Sequence, residues 1–254
     1  MSMPFYVAPE QRMKDLADYA RKGIARGRSL VAVAYADGIA IVAENQSNTL
    51  RKISEIYDHI AFAGVGKYNE FDQLRIAGVR HADLKGYSYS REDVNARGLA
   101  NQYAQILGQI FTHEMKPMEV EILVAEIGPD TDDDQMFHIL YDGTVRDENE
   151  CTALGGDAET IVTRLRETWS EGRDLDAALT GAIEALTGPD RGLGADDLEV
   201  AVLDRTTGQR RAFRRIEPDE LRTRLGDLVA ATTGNGGGVD LEPPPPDDEP
   251  GAQP

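Results

Sequence analysis

The pattern that most constrains this chain is that its β-prone runs and its amphipathic helices come in separate groups and do not alternate. Pro9 stands where a first helical turn tolerates proline, and Met13, Leu16, Ala17, Ala20 and Ile24 then fall on one helical face. β-Prone runs at 30–35 and 39–43 are split by Ala36, Asp37 and Gly38, a hairpin signal, and two shorter runs at 53–56 and 60–63 lead into Gly64, Val65 and Gly66. The spacing then predicts a helix over 67–85. A second helix starts from a capping box at Ser90 and Asp93, carries Leu99, Tyr103, Ile106, Leu107, Ile110 and Phe111 on one face, and stops at Pro117. Strands are predicted at 119–127, 136–141, 144–146 and 151–154, with Asp142 and Gly143 as a turn and Gly155 and Gly156 closing that sheet. A second helix pair is marked by Ile161, Val162, Leu165 and Trp169, then by Leu175, Leu179, Ala182, Ile183 and Leu186. Runs at 198–203 and 212–216 form a hairpin through Thr207 and Gly208, and Pro218 opens a last helix.

A parallel α/β sheet needs regular strand-helix alternation, which this order lacks. Grouped strands and paired helices predict an α+β fold in which two antiparallel sheets stack on each other with a helix pair outside each. That is a four-layer αββα sandwich, filling residues 9–232 as one domain between an N-terminal segment, 1–8, and a tail, 233–254. The tail holds clustered glycines, Pro243 to Pro246, five acids and no base, a composition that cannot bury enough surface to offset its ordering entropy.

With 45 acidic against 27 basic side chains the net charge is −18, which argues against nucleic acid as a partner, because a phosphate-binding surface needs clustered bases. The single cysteine, Cys151, excludes a disulfide framework and a Cys-based zinc site, and reads as a packed core residue of a reducing compartment. The absence of a signal-like start and of a long apolar run predicts a cytoplasmic protein without a membrane span.

Most catalytic signatures are missing. Gly64, Val65, Gly66 and Lys67 look like a phosphate-loop fragment, but Ala61 occupies the position of the first glycine and Tyr68 that of the magnesium-binding hydroxyl, so a strand leading into a helix is expected. The acidic stretch 130–134 fails as a calcium loop, with Gln135 and Tyr141 where glycine and glutamate are needed, and reads as a solvated turn. His59, His81, His113 and His138 are far apart, and no metal or cofactor is implied. The sandwich itself raises the N-terminal nucleophile hydrolases, whose attacking residue is the first of the mature chain and starts the first core strand. Here that place holds Gly27, Arg28 and Ser29, behind a well-formed helix, so the catalytic start is blocked. A self-processing hydrolase freed before Ser29 and acting on its own is the alternative.

Several blocks resemble the actinobacterial proteasome α-subunits: residues 2–13, 20–29, 42–45, 52–58, 66–72 and 198–204, within a likeness running from Ser2 to about Leu225. The resemblance implies a non-catalytic member of the N-terminal nucleophile fold. Such subunits form seven-membered outer rings of the 20S core, template the β-subunit rings that hold the threonine proteolytic centres, and gate entry. They also dock a ring-shaped AAA ATPase, through its C-terminal tail, for the degradation of pupylated proteins. It implies that Met3, Pro4, Phe5, Tyr6, Val7, Ala8 and Pro9 belong to the gate, which departs here from the Tyr-Asp-Arg pattern of archaeal and eukaryotic α-subunits. It also implies that Lys52 pairs with the activator's terminal carboxylate, with Gly27, Gly64 and Val65 lining the same pocket. Read without the resemblance, Lys52 is an exposed strand-edge lysine and the glycines serve turns.

Overall fold

The structure, a computed structural model, describes residues 8–47, 49–189 and 191–226. Helix α1 (Pro9–Ala25) precedes four strands, β1 (Leu30–Tyr35), β2 (Gly38–Glu44), β3 (Ile53–Tyr57) and β4 (Ile60–Gly66). Helices α2 (Tyr68–Ser88) and α3 (Ala96–His113) lead to β5 (Val120–Glu126), β6 (Gln135–Ile139), β7 (Val145–Glu148) and β8 (Cys151–Leu154). Helices α4 (Ala158–Thr168) and α5 (Leu175–Thr187), the hairpin β9 (Leu198–Asp204) and β10 (Phe213–Ile216), and α6 (Pro218–Leu225) complete the order.

Among the described residues, ten strands make two antiparallel five-stranded sheets, ordered β10-β9-β2-β1-β8 and β3-β4-β5-β6-β7. Because alternate residues of a strand face opposite sides, each sheet feeds two layers of core. In β1, Val31 and Val33 pack under α4 and α5 with Leu165, Leu179 and Ile183, whereas Leu30 and Ala32 face the other sheet. Ile53, Ala63, Leu123 and Met136 meet them from that side. Phe62, Ile122 and Val124 turn away and pack beneath α2 and α3 against Phe71, Leu99 and Tyr103. Three apolar interfaces therefore separate four layers, which is the predicted αββα sandwich. Cys151 is buried in the first of them.

The sequence reading errs on which strands share a sheet. Gly155 and Gly156 were expected to close the sheet of the preceding strands, but β8 leaves it and pairs with β1, Leu154 opposite Leu30. Likewise β3 and β4 part from β1 and β2 and join β5. Each run of four strands is thus divided between the sheets, two and two in the first run, three and one in the second. The start of α3 also differs: Ser90 caps only a short 3-10 turn, accepting from Glu92 N, and Asn95 is the cap of the long helix, its Oδ1 accepting from Gly98 N at 2.8 Å. The turn at Asp142 and Gly143 forms as expected, and glycine is required there. Its φ is +86°, and an added Cβ would lie 2.5 Å from Ala104 O of α3.

The acidic stretch does link β5 to β6, but its last carboxylate is not solvated. Asp134 pairs with Arg205 at 2.6 Å and accepts from Gly128 N at 3.0 Å, tying this turn to the β9–β10 connection. Among the described residues no helix is long and apolar enough to cross a membrane.

Candidate functional site

Helix α1 buries only the C-terminal half of its predicted face. Ala20 and Ile24 enter the inter-sheet core, while Met13 stays exposed. The chain then passes through Gly27, Arg28 and Ser29 into β1. An added Cβ on Gly27 would stand 3.1 Å from Ile24 O and 3.2 Å from Gly66 N, so glycine lets this link run close over the end of β4. Ser29 is buried, its carbonyl accepting from Glu44 N at 3.0 Å.

Lys52 immediately precedes β3. Its carbonyl accepts from Gly64 N at 3.0 Å, and its Nζ donates to Arg28 O at 2.6 Å. Lys52, Gly27 and Gly64, separated in sequence, therefore come together where α1 hands over to β1. Gly64 takes part through its backbone, since its open side is filled by the Phe71 ring, 2.7 Å from where a Cβ would stand. Val65 is fully buried in the inter-sheet core. Ala8 stands at the N-cap of α1 and Pro9 at its first position; Met3, Pro4, Phe5, Tyr6 and Val7 lie outside the described residues, as does the stretch 227–254.

Two glutamates that sequence reasoning passed over shape the charge here. Glu44, buried at the end of β2, accepts from Arg28 at 2.8 Å and Arg191 at 2.9 Å. Glu199, buried in β9, accepts from Lys52 N at 2.8 Å, Ile53 N at 3.2 Å, Asn45 Nδ2 at 2.8 Å and Arg215 at 2.7 Å. A charge inside the otherwise apolar run of β9 was the available signal. Burial pushes the Lys52 pKa down to about 8, the carboxylates of Glu44 and Glu199 pull it back up, and the Arg28 guanidinium adds to the depression. A cleft of about 440 Å³ opens beside this point, with Gly27, Arg28, Glu44, Asp157, Arg164 and Arg191 in its walls. An ammonium that is partly desolvated, and so weakly competed for by water, is suited to holding an anion brought to it.

Residues 24–203 match the family model for proteasome subunits. A protein of Acidimicrobium ferrooxidans described as proteasome subunit alpha is 64% identical over 227 residues, covering 89% of this chain and 97% of its own length. The chain belongs to the proteasome α-subunit family. Proteins with the same description from Kineococcus radiotolerans, 60% identical over 85% of this chain and 94% of their own, and from a Nocardioides species, 55% identical over 99% and 100%, extend the likeness. The family model begins at Ile24, near the end of α1, whereas the Nocardioides α-subunit matches almost the whole chain. Residues 9–23 of helix α1 therefore precede the segment that the family model matches, within the likeness to the Nocardioides α-subunit.

Proposed function

We propose that this chain is a non-catalytic α-subunit of a cytoplasmic 20S proteasome core. In this reading seven copies form each outer ring, template the β-subunit rings that carry the threonine proteolytic centres, and control entry through residues 1–8. The ring docks a ring-shaped AAA ATPase that delivers pupylated proteins, the C-terminal tail of the ATPase entering beside Lys52. The observation that carries the docking step is the half-buried Lys52 ammonium, held on the carbonyl of Arg28, a residue that with Gly27 also lines the cleft. A peptide terminus needs one cation for its carboxylate and room to lay its backbone alongside; in this reading Lys52 supplies the cation and the cleft lined by Gly27 and Arg28 the room.

The non-catalytic reading is supported by the surroundings of Ser29. Freeing its amino group would discard α1, and with it the Ala20 and Ile24 side chains that close the inter-sheet core. Burial of one isoleucine alone is worth roughly 1.5–3 kcal/mol. No observation favours the self-processing alternative.

Activator-stimulated degradation by the assembled α/β particle tests the docking step. Lys52→Ala should remove the stimulation, and a particle that is stimulated as strongly as wild type would overturn the assignment. Deleting residues 1–8 should raise peptide hydrolysis, and an unchanged rate would count against the gate.

A further inference from the structure

We infer that Glu199, clamped by Arg215, is a positioning residue for Lys52: the two side chains stand in for a missing strand beside β3 and so fix where the Lys52 side chain emerges. The inference rests on the reading of Lys52 as a carboxylate anchor. Strand β3 is the edge of its sheet, with β4 on one side only. On the open side the N–H and C=O of Ile53 are both met by side chains from the other sheet. Glu199 of β9 accepts from Ile53 N at 3.2 Å, and Arg215 of β10 donates to Ile53 O at 2.6 Å while holding Glu199 at 2.7 Å. The same carboxylate accepts from Lys52 N at 2.8 Å.

Asn45 extends the clamp into the connection that delivers Lys52. Its Nδ2 donates to Glu199 and to Leu50 O, each at 2.8 Å, and its Oδ1 accepts from Ser47 N at 3.0 Å. The buried carboxylate therefore has four donors, one of them an arginine. A satisfied buried pair of this kind gives little net stability over an apolar pair of similar volume, so its distinctive effect is on geometry. It also sets a negative charge near the Lys52 ammonium, favouring the protonated form.

The test compares α/β particles carrying wild-type α-subunit, Lys52→Ala, Glu199→Gln or Arg215→Lys. The probes are a short fluorescein-labelled peptide ending in a free carboxylate and the same peptide ending in a carboxamide. Lys52→Ala should abolish the preference for the carboxylate form, and if it does not, the anchor reading fails, taking this inference with it. With that preference established, Glu199→Gln should weaken the carboxylate peptide about tenfold, leave the carboxamide peptide unchanged, and move the midpoint of the pH profile downward. A merely structural residue would weaken both peptides alike without moving the midpoint, and that result, or wild-type binding, would overturn the positioning role while leaving the anchor intact. Should Glu199→Gln not assemble, Arg215→Lys decides: it keeps a cation for Glu199 but loses the fork that also reaches Ile53 O, so a smaller loss confined to the carboxylate peptide is expected, and wild-type affinity overturns the inference.

Discussion

If Lys52 receives a partner's terminal carboxylate, docking must weaken as the ammonium loses its proton, and burial places that loss near pH 8 and not at the ordinary lysine value of 10.5. The peptide carboxylate, with an ordinary pKa of about 3.5, stays ionised throughout this range. Only the protonated lysine offers a charge. Affinity should therefore be flat well below pH 8 and fall about tenfold, or about 1.4 kcal/mol, for each pH unit above it. The decline ends at the higher pKa of the complex, because a carboxylate in contact raises the pKa of its cation. Between pH 7 and pH 9.5 the loss is about 30-fold by this arithmetic. Anisotropy titrations of a free-carboxylate peptide into the α/β particle across that range measure it, and a carboxamide peptide supplies the control, which should show no comparable fall. A guanidinium keeps its charge throughout this range, so a midpoint within it distinguishes a lysine contact from an arginine one. An affinity flat to pH 9.5 would refute the claim that burial desolvates Lys52, and one still flat at about pH 11.5, a unit above the ordinary lysine value, would refute Lys52 as the contact.

The same burial makes Lys52 a liability for stability. Its folded pKa lies below its unfolded one, so the unfolded chain binds the proton more tightly, the penalty is complete below pH 8, and stability rises as pH climbs from about 8 towards 10.5. Lys52→Met should raise Tm at pH 7 by the equivalent of about 1–2 kcal/mol, once screening at its wet flank and the lost bond to Arg28 O are discounted, and thermal melts near pH 10.5 should show no gain. In urea unfolding, Asn95→Ala should cost about 1 kcal/mol and Ser90→Ala less than half as much, because Asn95 caps α3 and Ser90 only a 3-10 turn; the reverse order would restore the capping box to Ser90. Arg205→Ala leaves Asp134 buried without its cation and should cost about 3 kcal/mol, much of it recovered in the double variant with Asp134→Ala, as a double-mutant cycle would reveal.

The elements were legible in the sequence because their signals are local. The 3.6-residue spacing of Leu99, Tyr103 and Leu107 and the apolar runs of β1, β2 and β9 depend on nothing distant, and the structure buries those residues as predicted. What was not legible is partnership. Strands such as β1 and β2 are apolar on both faces, since each lies between a helix layer and the opposing sheet, so their pattern states that they are buried without stating beside what. For β8, the run of residues 151–154 reads the same whether it extends the sheet of β7 or crosses to β1, and only the three-dimensional path through Gly155 and Gly156 into α4 decides. Capping suffered similarly, because both Ser90 and Asn95 cap something and local chemistry does not tell which helix is long.

The site shows the same division more sharply. Lys52 and Gly27 came from a family likeness, and their meeting at Arg28 O is a geometric fact that neither residue announces alone. Glu199 did carry a signal of its own, a carboxylate in a strand whose neighbours Leu198, Val200, Ala201, Val202 and Leu203 are buried and apolar. A charge in such a place must be met by donors or the strand would not stay buried, so the sequence demands partners there. It does not name them: the cation lies 16 residues downstream at Arg215 and the backbone donors 147 and 146 residues upstream at Lys52 and Ile53. An isolated charge within an apolar strand is therefore best treated as a pointer to whatever backbone the fold lays across it, and in this chain that backbone is Lys52 and Ile53.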